Sequence, residues 1–147
     1  MQERRSIIAA LMRASRRMER STQQRRSIIR ALARAGRPLG PREILAAARS
    51  AVPGLGIATV YRALKSLVAE GQIEPVRLPG QPPRYEPAGK HHHHYFRCRA
   101  CNQVFDIPGC PGNLEPLVPK GFVMEGHEVV LYGRCKRCRR GRKTRRK

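Results

Sequence analysis

Four of the chain's five cysteines stand in two Cys-x-x-Cys pairs, Cys98 with Cys101 and Cys135 with Cys138, and this spacing constrains the fold more than any other feature. Each pair can form a knuckle whose two thiolates bind one metal, and two knuckles complete the tetrahedron that zinc prefers. All four ligands would come from protein, so the expected Zn2+ is structural and its site has no open position for catalysis. A redox role for the same pairs lacks the thioredoxin-like βαβ setting. In a reducing compartment the spacing favours metal over disulfide. Size explains the need for a staple. A chain of 147 residues makes one ordinary domain or two small ones, and a unit below about 80 residues usually needs a metal, disulfides or a partner chain. Zinc binding would add folding free energy on the order of 10 kcal/mol.

Upstream of the cysteines the apolar pattern is helical. Residues 1–17 form a basic arm that is either disordered or helical, and its Arg4 to Arg16 stretch echoes Arg25 to Arg37 at ten of thirteen positions. From Thr22, a candidate cap, Ile28, Ile29, Leu32 and Ala35 share one face until Gly36 and Pro38 end the run. A second helix opens at Gly40 and Pro41, turns Ile44, Leu45 and Ala48 inward, and stops at Val52, Pro53 and Gly54. The third runs from about Ile57 to Glu70 and buries Val60, Leu64, Leu67 and Val68 before Gly71. Three helices with a tight turn before the last predict a helix-turn-helix.

Beyond Gly71 the pattern becomes extended. Ile73 to Leu78 and Arg84 to Glu86, separated by Pro79, Gly80, Gln81, Pro82 and Pro83, read as a hairpin wing with a stiff loop. Pro87, Ala88 and Gly89 make a hinge, and strands are expected around Tyr95 and Phe96, Val104 to Ile107, Phe122 to Met124 and Val129 to Tyr132. The expected class is therefore α+β: a winged-helix domain at 18–86, a small metal-binding domain at 87–138 and a basic tail at 139–147.

Charge indicates the partner. The chain carries 31 Lys and Arg against 10 Asp and Glu, a net +21 that favours a polyanion such as nucleic acid. The termini hold +4 in residues 1–20 and +7 in residues 139–147, and the rest divides into +8 over 21–84 and +2 over 85–138. The helical half is thus the basic half. No apolar stretch approaches the roughly 20 residues that span a bilayer, and the arginine-rich start lacks the apolar block of a secretory signal. A cytoplasmic protein without membrane contact is expected.

The run His91, His92, His93, His94 adds a second set of metal-binding side chains. On a strand, alternate side chains point to opposite faces, so His92 and His94 share one side and His91 and His93 the other. Metal sites can then flank a single strand, although a solvated polyhistidine would only scavenge ions loosely. His127 lies just ahead of the last expected strand. Cys110, the unpaired cysteine, reads as a small buried residue, a soft zinc ligand beside Glu115 or a redox-sensitive thiol.

Taken together, Ile57-Ala58-Thr59-Val60-Tyr61-Arg62, then Tyr85-Glu86, the histidine run, a Cys-x-x-Cys pair, and Leu131-Tyr132-Gly133 leading to the second pair resemble the ferric uptake regulator (Fur) family. The likeness covers roughly residues 18 to 138. It implies a recognition helix at 57–70 with Thr59, Tyr61 and Arg62 facing DNA, and Arg20 placed to enter the minor groove. It implies structural zinc at Cys98, Cys101, Cys135 and Cys138. One sensing site would comprise His92, His94, Glu115 and His127. A second, at the hinge, retains Glu86, His93 and Asp106, with Tyr95 in place of an imidazole and Pro38 in place of the histidine from the DNA-binding half, so it is either degraded or completed by His91 or another substitute. Pro111, Gly112, Pro116 and Pro119 interrupt what the family builds as a longer dimerisation helix.

The expected function is a metal-dependent DNA-binding repressor of metal-homeostasis genes. It acts as a homodimer on a palindromic double-stranded operator, and its regulatory divalent ion is Zn2+ or Fe2+. A metal-independent zinc-ribbon nucleic-acid binder would share the charge and the cysteines but has no use for the histidines. A metal-dependent hydrolase would need an open coordination position and a general base, and the chain offers no recognisable motif for the latter, so no enzyme activity is expected.

Overall fold

The computed structural model describes residues 2–140, with side chains from residue 12. Its elements run α1 (Gln2–Ala35), α2 (Pro41–Ala48), α3 (Ile57–Ala69), β1 (Ile73–Val76), β2 (Arg84–Pro87), β3 (His93–Cys98), β4 (Val104–Pro108), a 3-10 turn (Glu115–Leu117), β5 (Val130–Gly133) and α4 (Lys136–Arg140). The expected basic tail begins inside α4, and its residues 141–147 lie outside the described part.

The first helix corrects the expected start. Thr22 does not cap it: its hydroxyl donates to the Met18 carbonyl at 2.9 Å, one turn back within a continuous helix. The physical reason is composition, since residues 2–22 contain neither Gly nor Pro and are rich in Arg and Ala, with Met and Glu among the rest, all good helix formers. Pro41 at the first turn of α2 fits its fixed φ, and Glu43 reaches back to accept from the Gly40 N–H at 2.9 Å. Helix α3 ends in a Schellman motif. Gly71 sits at φ +67°, its N–H donates to Val68, and the Gln72 N–H donates to Leu67, both at 3.0 Å. A side chain at 71 would strain that left-handed backbone.

The three helices and β1 enclose one apolar core built from Ile28, Leu32, Leu39, Ile44, Val52, Leu55, Val60, Leu64, Leu67 and Ile73. Strands β1 and β2 pair antiparallel as the wing, and Leu39 bridges to Tyr85 on its free side. The second sheet has the order β4-β3-β5, with β4 antiparallel and β5 parallel to β3. It has little apolar core of its own: Val104, with Tyr95 and Val130, packs on Val76 and Leu78 from the wing segment. The expected strand at Phe122 to Met124 is not formed, and these residues belong to an irregular stretch between the 3-10 turn and β5. Four prolines and three glycines between 108 and 121 deny that region a regular ladder.

Polar contacts join the halves. Arg84 donates to Glu43 of α2 and to the Asn102 carbonyl in the first cysteine knuckle, each at 2.5 Å. Arg37 pairs with Glu43 at 2.9 Å and its guanidinium lies 5.8 Å from the Phe105 ring centroid. Within the helical half, Arg25 of α1 and Glu70 at the end of α3 form an ion pair that clips α3 to α1.

Candidate metal centres and nucleic-acid interface

The four paired cysteines converge, with one potential ligand atom from each lying within 4.8 Å of the others. Strand β3 delivers Cys98 into the interior, and the turn that follows, with Asn102 at φ +57°, brings Cys101 back beside it. Cys135 and Cys138 straddle the first turn of α4, which is closed by an Arg139 N–H to Cys135 carbonyl bond of 2.8 Å. Cys101 Sγ lies 3.8 Å from Cys135 Sγ, and the Cys135 N–H points to Cys98 Sγ at 3.3 Å. That N–H holds the Cys98 thiol down at about 6, whereas side-chain hydrogen bonding with Cys135 pushes Cys138 up to about 12. Four crowded thiols cannot all ionise without a cation among them, so the donor set fits Zn2+. At Gly133, which leads into this knuckle, a Cβ would lie 3.0 Å from the Phe96 ring, so a larger residue would require that ring to shift.

A second cluster gathers His92, His94, His127 and Cys110 to the same tightness. His92 Nε2 lies 3.2 Å from His127 Nε2, and Cys110 Sγ lies 3.0 Å from that same nitrogen. His94 is buried, and its pKa is lowered first by desolvation and then by its neighbours His92 and His127. The fourth member is not the expected Glu115. That residue is exposed on the 3-10 turn, where the Asn113 side chain accepts its backbone N–H at 2.9 Å, while the Gly109 to Pro111 bend presents Cys110 instead. Pro111, Gly112, Pro116 and Pro119 keep this stretch from forming a regular helix beyond the 3-10 turn. The thiol at 110 was legible as a soft ligand by residue type but not by position.

His93 turns away from this cluster. Its Nε2 lies 3.1 Å from Glu86 Oε1, within a third group formed with Asp106. Tyr95 donates its hydroxyl to the same Glu86 oxygen at 2.6 Å; burial, reinforced by that bond, raises the phenol well above its usual range. Pro38 is fully buried and offers no donor atom. Lys90 was not among the expected site residues, yet its ammonium lies 2.7 Å from Glu86 Oε2 and 2.5 Å from Asp106 Oδ2.

The exposed side of α3 carries Ile57, Ala58, Tyr61, Arg62 and Lys65, with Tyr61 54% exposed and Thr59 half-buried. Arg62 donates to the Thr59 hydroxyl at 3.2 Å, which holds its guanidinium along the helix. A cleft between α1 and α3 is lined by Arg17, Arg20, Arg25, Thr59 and Arg62. Arg20 also approaches the turn before α3, where a Cβ at Gly54 would lie 3.4 Å from its Nη2. A positively charged cleft beside an exposed helix suits a nucleic-acid backbone, with α3 free to enter a groove.

Residues 17–132 match the Ferric uptake regulator family. The chain belongs to that family. Transcriptional regulator FurA of Mycobacterium tuberculosis is 31% identical over 98 residues, 65% of this chain and 67% of that protein. The zinc uptake regulation protein of the same organism is 27% identical over 88 residues, covering 58% and 68%. Among solved structures, the Helicobacter pylori ferric uptake regulator, described as having three functional metal-binding sites, superposes with a TM-score of 0.63 at 26% identity. That match covers 89% of this chain and 92% of the other. Membership of the Fur family makes the chain a transcriptional regulator, with a winged-helix half and a zinc-holding dimerisation half. Among the described residues no helix is long and apolar enough to cross a membrane.

Proposed function

We propose that the chain is a cytoplasmic homodimeric repressor of metal-homeostasis genes, and that the ion it senses is zinc, bound by His92, His94, Cys110 and His127. The observation that carries this is the convergence of those side chains from β3, from the Gly109 to Pro111 bend and from the segment before β5. A thiolate with three imidazoles suits zinc better than manganese or iron, which favour harder donors. An ion bound there would cross-link the segment from Cys110 to His127 onto β3. That segment bears Leu117, Phe122 and Val123, three of the most exposed large apolar side chains described. Fixing it against the sheet would shape an apolar surface for a second copy of the chain, and the pairing would set the separation of two α3 helices on a palindromic operator.

In this scheme residues 18–86 form the DNA-binding domain, 87–138 the dimerisation domain, and 1–17 and 139–147 basic extensions. Tyr61 would meet a thymine methyl or a phosphate, Thr59 and Arg62 would contact phosphate or base edges, and Arg20 would reach the minor groove. Zinc must favour the DNA-competent arrangement over the open one, or it regulates nothing. The test is DNA binding by protein that retains only its four-cysteine zinc, titrated separately with Zn(II), Fe(II), Mn(II) and Ni(II). A steep gain with Zn(II) that is lost in Cys110→Ala is the expected result. Binding indifferent to every ion would leave a structural-zinc nucleic-acid binder and remove the sensor.

A further inference from the structure

The third group, at the hinge, differs from the other two in already containing a cation. Glu86 is 1% exposed at the end of the wing strand β2, and Asp106 lies on β4 of the second sheet. A carboxylate buried to that degree requires a compensating charge. Lys90, from the short linker between β2 and β3, supplies it by bridging Glu86 Oε2 and Asp106 Oδ2. The other Glu86 oxygen is taken by the Tyr95 hydroxyl and by His93. Two further places are closed to an ion: Pro38 has no side-chain donor atom, and the Tyr95 hydroxyl is committed to Glu86. The group therefore does not fit a resident metal.

We propose that Lys90 stands in for a metal ion at the hinge, as a built-in cation that ties the winged-helix half to the second sheet whatever the metal supply. The hinge is then closed permanently, and metal control passes to the one remaining cluster, a conclusion that rests on the sensing role given above to His92, His94, Cys110 and His127. Removing the ammonium should create what it replaces. Without it, Glu86, His93 and Asp106 present two carboxylates and an imidazole around a vacated cationic position, a donor set suited to divalent ions.

The experiment counts metal per chain after zinc-replete protein is equilibrated with Zn(II) or Mn(II), for wild type, Lys90→Met, Lys90→Arg and His93→Ala, with melting temperature recorded alongside. Wild type, Lys90→Arg and His93→Ala should each take up one Zn(II) beyond the four-cysteine zinc. Lys90→Met should melt lower than wild type in the absence of added metal, then take up a second ion and recover. A second ion in wild type that His93→Ala abolishes would overturn the proposal. So would a Lys90→Met chain that keeps wild-type stability and gains no site. Should Lys90→Met fail to fold, the His93→Ala count still decides. Failure of the sensing reading shows separately, as a wild-type count that His127→Ala does not change.

Discussion

The two halves of this molecule are held together by different means. The N-terminal half buries ten large apolar side chains in one continuous core and has its helix ends satisfied by Glu43 and by the turn at Gly71. The C-terminal half has Val104 and a few half-buried neighbours for a core, and carries two clusters of metal-ligand side chains, the four cysteines and the His92, His94, Cys110, His127 group. A half that depends on apolar area folds whenever water is present. A half that depends on ligands folds in proportion to what is bound, so it can report on supply.

The largest expected effect breaks the second half alone. Stripping zinc with a strong chelator, or Cys98→Ser, should remove folding free energy on the order of 10 kcal/mol. Amide exchange should then become fast through β3 to β5 while α1 to α3 remain protected. Equal loss of protection in both halves would mean that they fold as one unit and that the contrast is false. The reverse experiment is Leu64→Ala, which opens a cavity in the helical core and should cost about 2–5 kcal/mol in urea unfolding. Bound zinc should stay at the wild-type level; release of zinc would again argue for one cooperative unit.

Much of the first half could be read in advance because its determinants are local. Period-3.6 apolar residues, the Gly40-Pro41 start and the Gly71 stop mark the helices directly. The paired cysteines were legible for the same reason, since two residues between ligands already define a knuckle. The segment from Gly109 to Val129 was not. Its side chains are placed by closure onto β3 over long sequence separations, so spacing along the chain did not reveal that Cys110 rather than Glu115 meets His127. Lys90 was missed because a lysine in a linker ordinarily faces solvent, and only the folded hinge shows the two carboxylates it joins. Thr22 was misplaced because a capping residue type carries no information once the helix continues through it.

Two smaller effects sharpen the comparison within the helical half. Tyr61 and Arg62 are exposed on α3, so Arg62→Ala should change stability by less than about 0.5 kcal/mol and weaken DNA binding by roughly 1–3 kcal/mol. Fluorescence anisotropy with operator-type DNA and a melting curve separate the two quantities, and unchanged affinity would remove Arg62 from the interface. The smallest effect concerns the Arg25 to Glu70 clip. Hydrogen bonding from Arg25 holds Glu70 down at about 2, against an ordinary 4.5. A depressed carboxylate stabilises the fold above its unfolded pKa, and that contribution is lost as pH falls through the folded one. The melting temperatures of wild type and Glu70→Gln should therefore differ at neutral pH and converge between pH 4.5 and pH 2. A gap that persists below that window would assign the difference to packing rather than charge.

Strand β5 is four residues long, lies at the edge of its sheet and runs parallel to β3. Nothing in so short a ladder fixes its alignment firmly, and a slip of one residue would shift it by about 3.3 Å and exchange its two faces. Yet both ends of this pair are measured. His94 and Cys98 on β3 face His127 ahead of β5 and Cys135 beyond it, so the two ligand clusters sit at opposite ends of the same pair of strands. A slipped strand would mismatch both clusters at once. The ligands therefore act as a ruler as well as a clamp, and the sheet's alignment is proofread at each end by the groups that hold it.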